Sequence, residues 1–378
     1  MTLKEDLKTL REKINNTDKS LMNLIHERLL IVTKIGILKK QHGLPIYDPK
    51  REQKLINNKK KYAKILNISK NFIENIFYNI IKESYKIEEN IGFKTLNKNI
   101  GPIVIIGGHG NMGSFFEKML SLSGYEIILF GRKDWENSNT ILKNTKLIVI
   151  SVPIHSTIKV IKQLPTLKND CILVDVTSIK HEPIQTMLKI HDGPVLGLHP
   201  IFNPKSNDTA SRKTMIYCHG RQQKSYQWIL DQIQMWGITL YNMETIEHDK
   251  YMLLSQSLRH FIYFTYGIFL EEKNIDIKKL FKMSPPIYQI ELTMIGRLFS
   301  QDPELCFDII TSQPEISFLV DAYQKCLKKT IKLVNKNKEK KTFFKYFKKT
   351  KFSLGEYTEQ LKINSDNILN NLNLHKNK

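Results

Sequence analysis

The first 90 residues carry apolar side chains at helical spacing and contain only two glycines, Gly36 and Gly43. Steps of three and four residues, the spacing of a coiled-coil seam, continue for about four to five heptads. The seam positions are Leu7, Leu10, Ile14, Thr17, Leu21, Leu24, Arg28, Ile31, Ile35 and Leu38. A helix over residues 5–41 would be about 55 Å long, too long to bury this stripe within its own small domain. The pattern therefore predicts pairing with a second chain.

Two further helices are predicted within the first 90 residues, before the pattern of apolar and polar positions changes. Asp48 suits the N-cap and Pro49 the first helical position of the second helix. A third helix is expected from about Asn71 to Glu89, with its isoleucines on one side. Residues 1–90 thus form an all-α domain of three helices, and the polar, aperiodic residues 91–101 are interpreted as a linker.

Charged and polar side chains interrupt the apolar faces of these helices. Arg28 occupies a seam position and Lys39 lies near the same face, although an isolated Arg in a seam can equally set coiled-coil register. The full polar set on these faces is Arg28, Lys39, Arg51, Glu52, Ser84 and Glu88. Burying such a cluster requires a charged ligand, and a small dicarboxylate would meet that need. Arg11 lies about 25 Å before Arg28 along a straight helix, so any contribution from Arg11 must come from the partner chain.

A glycine-rich turn marks the start of a different region. From Pro102 to about Cys218, short β-rich runs alternate with amphipathic stretches, and the pattern beyond Gly220 is helical to the end. The strand over residues 103–106 runs into a turn with glycines at G-x-G-x-x-G spacing, followed by a helix. The turn residues are Gly108, His109, Gly110, Asn111, Met112 and Gly113. In this setting the motif predicts pyrophosphate binding by backbone N–H groups, with a purely structural turn as the alternative.

The change from alternating β-rich and amphipathic stretches to a helical pattern predicts two domains after the linker. Residues 102–220 are expected to form an α/β, Rossmann-like dinucleotide-binding domain, and residues 221–378 an all-α substrate and dimerisation domain. The second strand of an NAD-binding fold should end in an acidic residue, but here it ends in Gly131-Arg132, with Asp134 nearby and out of place. Arg132 suits a 2′-phosphate, so the pattern leaves NADP open beside NAD.

Two polar residues end predicted strands on the side where an open parallel sheet binds ligands. Ser151 follows one apolar run and His199 ends another. A single histidine at a strand end is more often structural, but two polar groups at one crevice edge favour a functional interpretation. A neutral histidine can accept a hydroxyl proton near pH 7 while a hydride leaves the same carbinol carbon.

The helical front of the chain resembles the all-helical chorismate mutases, whose active sites are shared between two intertwined chains. The residues that carry the resemblance are Arg11, Arg28, Lys39, Asp48, Arg51, Glu52 and Ser84. It implies that the arginines and the lysine hold the two carboxylates and the ether oxygen of chorismate. Glu88 matches a position that is Gln in some members and Glu in others. The reaction is a unimolecular rearrangement that needs donors and enforced geometry, not a nucleophile.

The remainder resembles prephenate dehydrogenase in the stretches SVPIHSTIKVIKQLP, GPVLGLHPIFNP, IEHDKYMLLSQSLRHF and SPPIYQIELTMIGRLF. The whole chain therefore resembles the bifunctional chorismate mutase/prephenate dehydrogenases of tyrosine biosynthesis, implying a homodimer that uses NAD and has tyrosine as feedback ligand. The resemblance implies that His199 accepts a hydrogen bond from the prephenate hydroxyl and that Ser151 orients His199 or the substrate. It also implies that Arg297 binds a substrate carboxylate and that His248 lines the pocket. Gln289 stands where many relatives have Arg.

Composition adds little to this picture. The net charge is +21 and the pI about 9.5, but the lysines are mingled with asparagines throughout, which indicates compositional bias and solvated faces. A basic nucleic-acid-binding or nucleotide-sensing regulator remains the alternative from another functional class, and arogenate remains the alternative substrate.

The four cysteines have no metal or redox spacing, which predicts a reducing cytoplasm without zinc or disulfides. No apolar run approaches a membrane span, and no secretory signal precedes the first helix.

Overall fold

The computed structural model describes residues 2–204, 209–335 and 340–372. They form two compact units, residues 1–248 and 249–378. The first unit holds three N-terminal helices and a seven-stranded sheet with its own helices, and the second unit is helical. The expected combination of an all-α front, a Rossmann-like sheet and a helical end is confirmed.

Three helices form the front of the chain, namely α1 (Leu3–His42), α2 (Pro49–Ile65) and α3 (Lys70–Ile91). Helix α1 is 40 residues long, slightly longer than the pattern predicted. The expected cap is present at α2, where the Asp48 side chain accepts a hydrogen bond from the Arg51 backbone N–H at 3.0 Å. Ser69 caps α3 in the same way through the Phe72 N–H.

Helix α1 uses two different faces. It packs on α3 through Val32 and Gly36, and a methyl group at position 36 would lie 2.6 Å from Ile91 Cδ1. Only a residue without a side chain lets the two helices approach this closely. The predicted seam reaches the α3 side only near its C-terminal end, where Arg28 and Ile35 are half-buried, and its earlier positions Leu10 and Leu24 are 55% and 62% exposed. The N-terminal part of the seam is therefore not buried by the chain itself.

The sheet lies in the first unit and has the order β2-β1-β3-β4-β5-β6-β7. Its strands are β1 (Ile103–Ile106), β2 (Ile127–Phe130), β3 (Leu147–Ile150), β4 (Ile172–Asp175), β5 (Val195–Pro200), β6 (Thr214–Arg221) and β7 (Thr239–Asn242). Strands β1 to β5 are parallel, β6 is antiparallel to β5, and β7 is parallel to β6. The expectation of helix alone beyond Gly220 is wrong, because β7 completes the sheet.

Helices cover the sheet, as its apolar strands require. They are α4 (Asn111–Leu122), α5 (Ser138–Leu142), α6 (Ile154–Gln163), α7 (His181–Ile190) and α8 (Gln223–Met235), with a 3₁₀ turn at Arg132–Asn137. Ile105, Val149 and Leu198 from the sheet share one buried core with Trp236. Strand β1 lies between β2 and β3, so the crevice at the strand-order reversal opens after Ile106 and Ile150.

The segment interpreted as a linker is packed rather than free. Phe93 is buried in the core of the sheet, and its N–H donates to the Leu122 carbonyl at 2.9 Å. Ile100 is buried in the same core. Between α1 and α2, Ile46 also enters this core and donates its N–H to the Met235 carbonyl at 3.3 Å. The three-helix front and the sheet therefore form one packed unit.

The second unit is helical, as predicted. Helix α9 (Thr245–Met252) spans the boundary between the first and second units. The helices that follow it are α10 (Arg259–Glu272), α11 (Ile277–Met283), α12 (Pro286–Phe299), α13 (Pro303–Thr311), α14 (Ile316–Asn335), α15 (Lys340–Leu354) and α16 (Tyr357–Leu372). Leu270 of α10 packs on Leu292 and Ile295 of α12, and the hydroxyls of Tyr266 and Tyr288 lie 2.7 Å apart. Among the described residues, no helix is long and apolar enough to cross a membrane.

Two candidate active sites

The first cluster lies between α1 and α3, where the sequence placed it. The guanidinium of Arg28 donates to Ser84 Oγ at 2.7 Å. One helical turn later on α3, Glu88 Oε2 accepts from the ammonium of Lys39 at 2.7 Å. The same ammonium donates to the Ile46 carbonyl at 2.8 Å. Four of the predicted residues are thus in direct pairwise contact.

Burial changes the acid–base properties of this cluster. The pKa of Glu88 is raised by desolvation, although the charges of Lys39, Arg51 and Arg28 oppose the rise. The pKa of Arg28 is lowered by desolvation and by the neighbouring Arg51, with Glu88 acting in the other direction. An anionic ligand between these cations would offset the cost of their desolvation and reduce their mutual repulsion.

Glu52 forms the other edge of the cluster together with two residues that sequence reasoning missed. Its carboxylate accepts from the Tyr85 hydroxyl at 2.8 Å and from Nε of Arg212 at 3.1 Å. A second, shorter contact joins Nη2 of Arg212 to Glu52 Oε1. Desolvation and the carboxylate of Glu52 raise the pKa of Tyr85. Tyr85 could have been found as the neighbour of Ser84, but no local signal marks Arg212, which lies 160 residues from Glu52.

The other predicted residues of this group are less enclosed. Asp48 is exposed, and its side chain caps α2. The Arg51 side chain is exposed, although its charge acts on both Arg28 and Glu88. Arg11 is exposed on α1, about 25 Å before Arg28 along the helix. One chain therefore does not bring Arg11 to its own cluster.

The second region begins at the glycine turn between β1 and α4. Gly107 has a φ of +81°, and a methyl group on it would lie 2.4 Å from the Ser151 carbonyl oxygen. A methyl group on Gly113 would lie 2.6 Å from the Gly107 carbonyl oxygen. Gly110 is the N-cap of α4, which begins at Asn111. The turn is therefore a tight cradle at a helix N-terminus, which fits the pyrophosphate of a dinucleotide.

The end of β2 lies beside this turn. The ring of His109 is exposed and lies near Gly131. A methyl group built on Gly131 would lie 3.7 Å from Cδ2 of this ring. The carboxylate of Asp134 accepts from the Gly131 N–H at 2.7 Å, and Arg132 is exposed. Asp134 is therefore held at the strand end rather than displaced from it. Met112 of the turn packs partly against the core.

Ser151 and His199 lie at the same edge of the sheet. Ser151 follows β3 and donates its N–H to the Ile106 carbonyl at 2.8 Å, next to the glycine turn. His199 is in β5, with β4 between the two strands. Both positions lie toward the carboxyl ends of parallel strands, as predicted, where open α/β sheets bind ligands.

His199 is hydrogen-bonded to His248. Nδ1 of His199 lies 2.8 Å from Nε2 of His248 of α9, and both rings are buried. The pKa of His199 lies well below its ordinary value, first because of burial and then because of the charges of His248 and Lys180. His199 is therefore neutral near pH 7, the form in which an imidazole accepts a proton.

A buried ion pair lies next to this histidine. Lys180, which precedes α7, contacts Oδ1 of Asp175 at the end of β4, and neither side chain is exposed. The same Oδ1 accepts from the Thr177 hydroxyl at 2.6 Å and from its N–H at 3.0 Å. Sequence reasoning named neither member of the pair, because an aspartate at a strand end and a lysine before a helix are each ordinary at such positions.

Arg297 belongs to the second compact unit. It lies on α12 and is exposed. On the same helix, the Gln289 side chain donates to the carbonyls of Phe281 and Ser284 at 3.0 and 2.9 Å, which joins the end of α11 to α12. Across the described parts of the chain, no group of three or more histidine, cysteine, aspartate or glutamate side chains is arranged to hold a metal ion.

Three protein-family models match the chain in order. Residues 10–89 match the model described as chorismate mutase type II. Residues 130–219 match the nucleotide-binding domain of prephenate dehydrogenase, and residues 244–349 match its dimerization domain. The glycine turn precedes the second match.

Curated relatives extend the agreement over nearly the full length. The T-protein of Enterobacter agglomerans is 42% identical over 97% of this chain and 98% of the relative. The T-protein of Haemophilus influenzae is 38% identical over 99% of both chains. In fold, the sheet and helices resemble the crystal structure of prephenate dehydrogenase from A. aeolicus in complex with hydroxyphenyl propionate and NAD⁺. That match has a TM-score of 0.54 and 19% identity, and covers 70% of this chain and 100% of the other. The chain therefore belongs to the T-protein family, the bifunctional chorismate mutase/prephenate dehydrogenases of tyrosine biosynthesis.

Proposed function

We propose that the two reactions of this family take place at the two clusters described above. Residues 1–90 have the mutase activity. Residues 102–220 and 221–378 together have the dehydrogenase activity, and residues 91–101 connect the two parts. The observation that supports this division best is the chemical contrast between the clusters. One contains Arg28 and Lys39 at a partly buried interhelical site, and the other contains the buried, hydrogen-bonded pair His199 and His248 at a sheet edge.

At the mutase site, Arg28 and Lys39 hold the carboxylates and the ether oxygen of chorismate. Ser84 orients Arg28 through their hydrogen bond, and Glu88 faces the ether oxygen beside Lys39. Arg51 adds charge from α2. Asp48 fixes the start of α2, and Glu52 accepts from the substrate hydroxyl. The rate comes from the enforced conformer and from donors aimed at the breaking C–O bond.

Arg11 completes this site from a second copy of the chain. The exposed seam that includes Leu10 and Leu24 supports a homodimer in which two α1 helices pair. Because Arg11 lies about 25 Å from Arg28 along one helix, only the partner's copy reaches the ligand. A mixture of Arg11→Ala and Lys39→Ala chains tests this placement, since heterodimers should regain one intact mutase site. Failure of the mixture to recover activity would refute it.

At the dehydrogenase site, His199 accepts the proton of the prephenate 4-hydroxyl. In the tautomer in which Nδ1 of His199 donates to His248, Nε2 carries the lone pair that takes the proton. Bound NAD would supply the hydride acceptor for the carbinol carbon, in a reaction that releases CO₂ and makes the substrate ring aromatic. Ser151 holds the substrate at the crevice edge, and Arg297 binds a substrate carboxylate.

The glycine turn and the end of β2 hold NAD. The N–H groups of the turn would bind its pyrophosphate at the start of α4. Arg132 lies at the strand end that borders the adenosine ribose. Initial rates on prephenate with NAD and with NADP measure cofactor choice. If Arg132 admits the 2′-phosphate, Arg132→Ala should lower the rate with NADP and leave the rate with NAD unchanged, and an equal effect on both would refute this role.

Two further properties belong to this proposal. Tyrosine is the feedback ligand, because its hydroxyphenyl group has the chemistry of the product. All four cysteines, which lie in described parts of the chain, are free thiols. This supports placing the enzyme in the reducing cytoplasm.

Purified enzyme with chorismate and NAD tests the assignment of the two sites. His199→Asn should abolish NADH formation and leave prephenate formation intact, and Lys39→Ala should do the reverse when prephenate is supplied. Joint loss of both activities in a folded His199→Asn protein would refute the role given to His199.

A further inference from the structure

The residues just before β6 connect the two catalytic parts of the chain. Ala210 donates its N–H to the Glu89 carboxylate of α3 at 2.7 Å, and Ala210 is buried. Two residues later, Arg212 pairs with Glu52 of α2. The same stretch of chain leads from β5, which carries His199, to β6. The nucleotide-binding domain therefore supplies a side chain to the mutase cluster.

Arg212 is held in a specific geometry there. Its guanidinium contacts both oxygens of Glu52, and its central carbon lies 5.0 Å from the ring centroid of Tyr78 and 5.8 Å from that of Tyr85. Arginine suits such a site, because its planar fork bonds both carboxylate oxygens and stacks on aromatic rings at the same time. The Glu52 side chain is 11% exposed and that of Arg212 33% exposed, so the pair is partly shielded from water.

The backbone at Arg212 is strained to reach this position. Its φ is +66°, in the left-handed region that residues with a side chain rarely adopt. The Arg212 N–H donates to the Gly237 carbonyl at 3.0 Å, which fixes the peptide. Backbone strain of this kind persists where the surrounding structure over-determines it, and it is concentrated at functional sites.

We propose that Arg212 is a positioning residue of the mutase site, which fixes the Glu52 carboxylate from the nucleotide-binding domain. This rests on the role assigned to Glu52 in the proposed function. Without Arg212, Glu52 retains the hydrogen bond from the Tyr85 hydroxyl. It loses the ion pair with Arg212 and the bidentate contact that fixes both of its oxygens. The mutase of this chain is thereby dependent on the domain that performs the second reaction.

The test is a double-mutant cycle on mutase activity, measured as chorismate loss without NAD. Arg212→Ala should lower mutase kcat/KM by about tenfold, the scale of a charged hydrogen-bonded partner removed from a catalytic group. Arg212→Lys should recover only part of the loss, because a single ammonium replaces the planar fork. Both substitutions keep a side chain at the strained backbone, so the strain itself is unchanged. In a Glu52→Gln background, Arg212→Ala should change the rate less than twofold.

Lys118→Ala is the matched control. Lys118 pairs with Glu89 across the same two domains at 2.7 Å but does not touch Glu52. An equal mutase loss in Lys118→Ala would show that domain docking, not Glu52, is responsible, and would overturn the proposal. So would full additivity of Arg212→Ala with Glu52→Gln, or an Arg212→Ala protein with wild-type mutase activity. Should Glu52→Gln alone leave the mutase unchanged, the role assigned to Glu52 fails, a result distinct from failure of Arg212 alone. NADH formation from supplied prephenate verifies that each variant is folded.

Discussion

Glu88 gives the sharpest test of the mutase site, because its protonation state determines what it can do. As an anion it can only accept hydrogen bonds, whereas as a neutral acid it can donate one to the ether oxygen of chorismate. Burial raises its pKa against the opposing charges of Lys39, Arg51 and Arg28. We therefore expect the neutral acid to be the active form, with mutase activity falling as pH rises through the pKa of Glu88.

The magnitude follows from the titration of a single group. Above that pKa, log kcat/KM should fall by about one unit per pH unit. Two pH units above it, only about 1% of Glu88 is protonated. Glu88→Gln replaces the acid by an amide whose N–H donor does not titrate. At that pH the variant should exceed the parent by about a hundredfold, and its profile should lack the alkaline fall.

The substitution also has a structural cost. The Lys39–Glu88 pair is 2.7 Å long, and its side chains are 17% and 6% exposed. Lys39 keeps the Ile46 carbonyl as an acceptor, and the new amide oxygen can accept from it as well. A loss of about 1 kcal/mol in the free energy of unfolding is expected, the usual net contribution of one hydrogen bond. Such a loss leaves the chain folded and the rate comparison valid.

The assay is mutase kcat/KM from pH 5 to 9, with Glu83→Gln as the matched control. Glu83 lies on the same helix and pairs with Lys86 at the surface, so its replacement should leave the profile unchanged. If Glu88→Gln keeps the alkaline fall, another group causes it. If Glu88→Gln is inactive at every pH, the anion that holds Lys39 is required instead. Either result refutes the neutral-acid mechanism.

Three further substitutions test the other parts of the account. Gly113→Ala forces a methyl group to within 2.6 Å of the Gly107 carbonyl oxygen, so the KM for NAD should rise about tenfold or more in dehydrogenase kinetics while the mutase is unaffected. The pKa of His199 is lowered, so parental dehydrogenase kcat/KM should stay level as pH falls from 7.5 to 6.5, and a fall centred near 6.5 would contradict this. His248→Asn should lower dehydrogenase kcat about tenfold by releasing Nδ1 of His199. Leu24→Asp puts a charge on the exposed seam, and sedimentation should show a weaker dimer together with lower mutase activity.

Local signals predicted the elements that local chemistry determines. Asp48 and Pro49 mark the start of α2 because a cap needs only a few neighbouring residues. The glycine spacing predicts the β1–α4 turn because each glycine avoids a contact made within that turn or with the adjacent strand. In α1, heptad spacing predicted the length of the helix, and the exposed seam agrees with a face left for another chain.

The elements that were missed depend on contacts far apart in sequence. Strand β7 has only four residues with no buried position, so its pattern does not distinguish a strand from a loop. It forms because Thr214 to Tyr217 of β6 offer it a parallel edge. Phe93 was assigned to a linker because its neighbours are polar, although its own side chain completes a distant core. Arg212 meets Glu52 only after the sheet has folded against α2 and α3.

The two clusters hold their cations in different surroundings, and this difference suits them to different steps on related anions. At the mutase cluster, Arg28 lies within the field of Arg51, so a bound dicarboxylate would reduce the repulsion between these two cations. Beside His199, Lys180 is already paired with Asp175, and its charge helps to keep the imidazole neutral. A bound substrate carboxylate would favour the imidazolium instead. His199 should therefore become a competent proton acceptor most readily when the substrate is in place, which couples proton transfer to the presence of the molecule that loses the hydride.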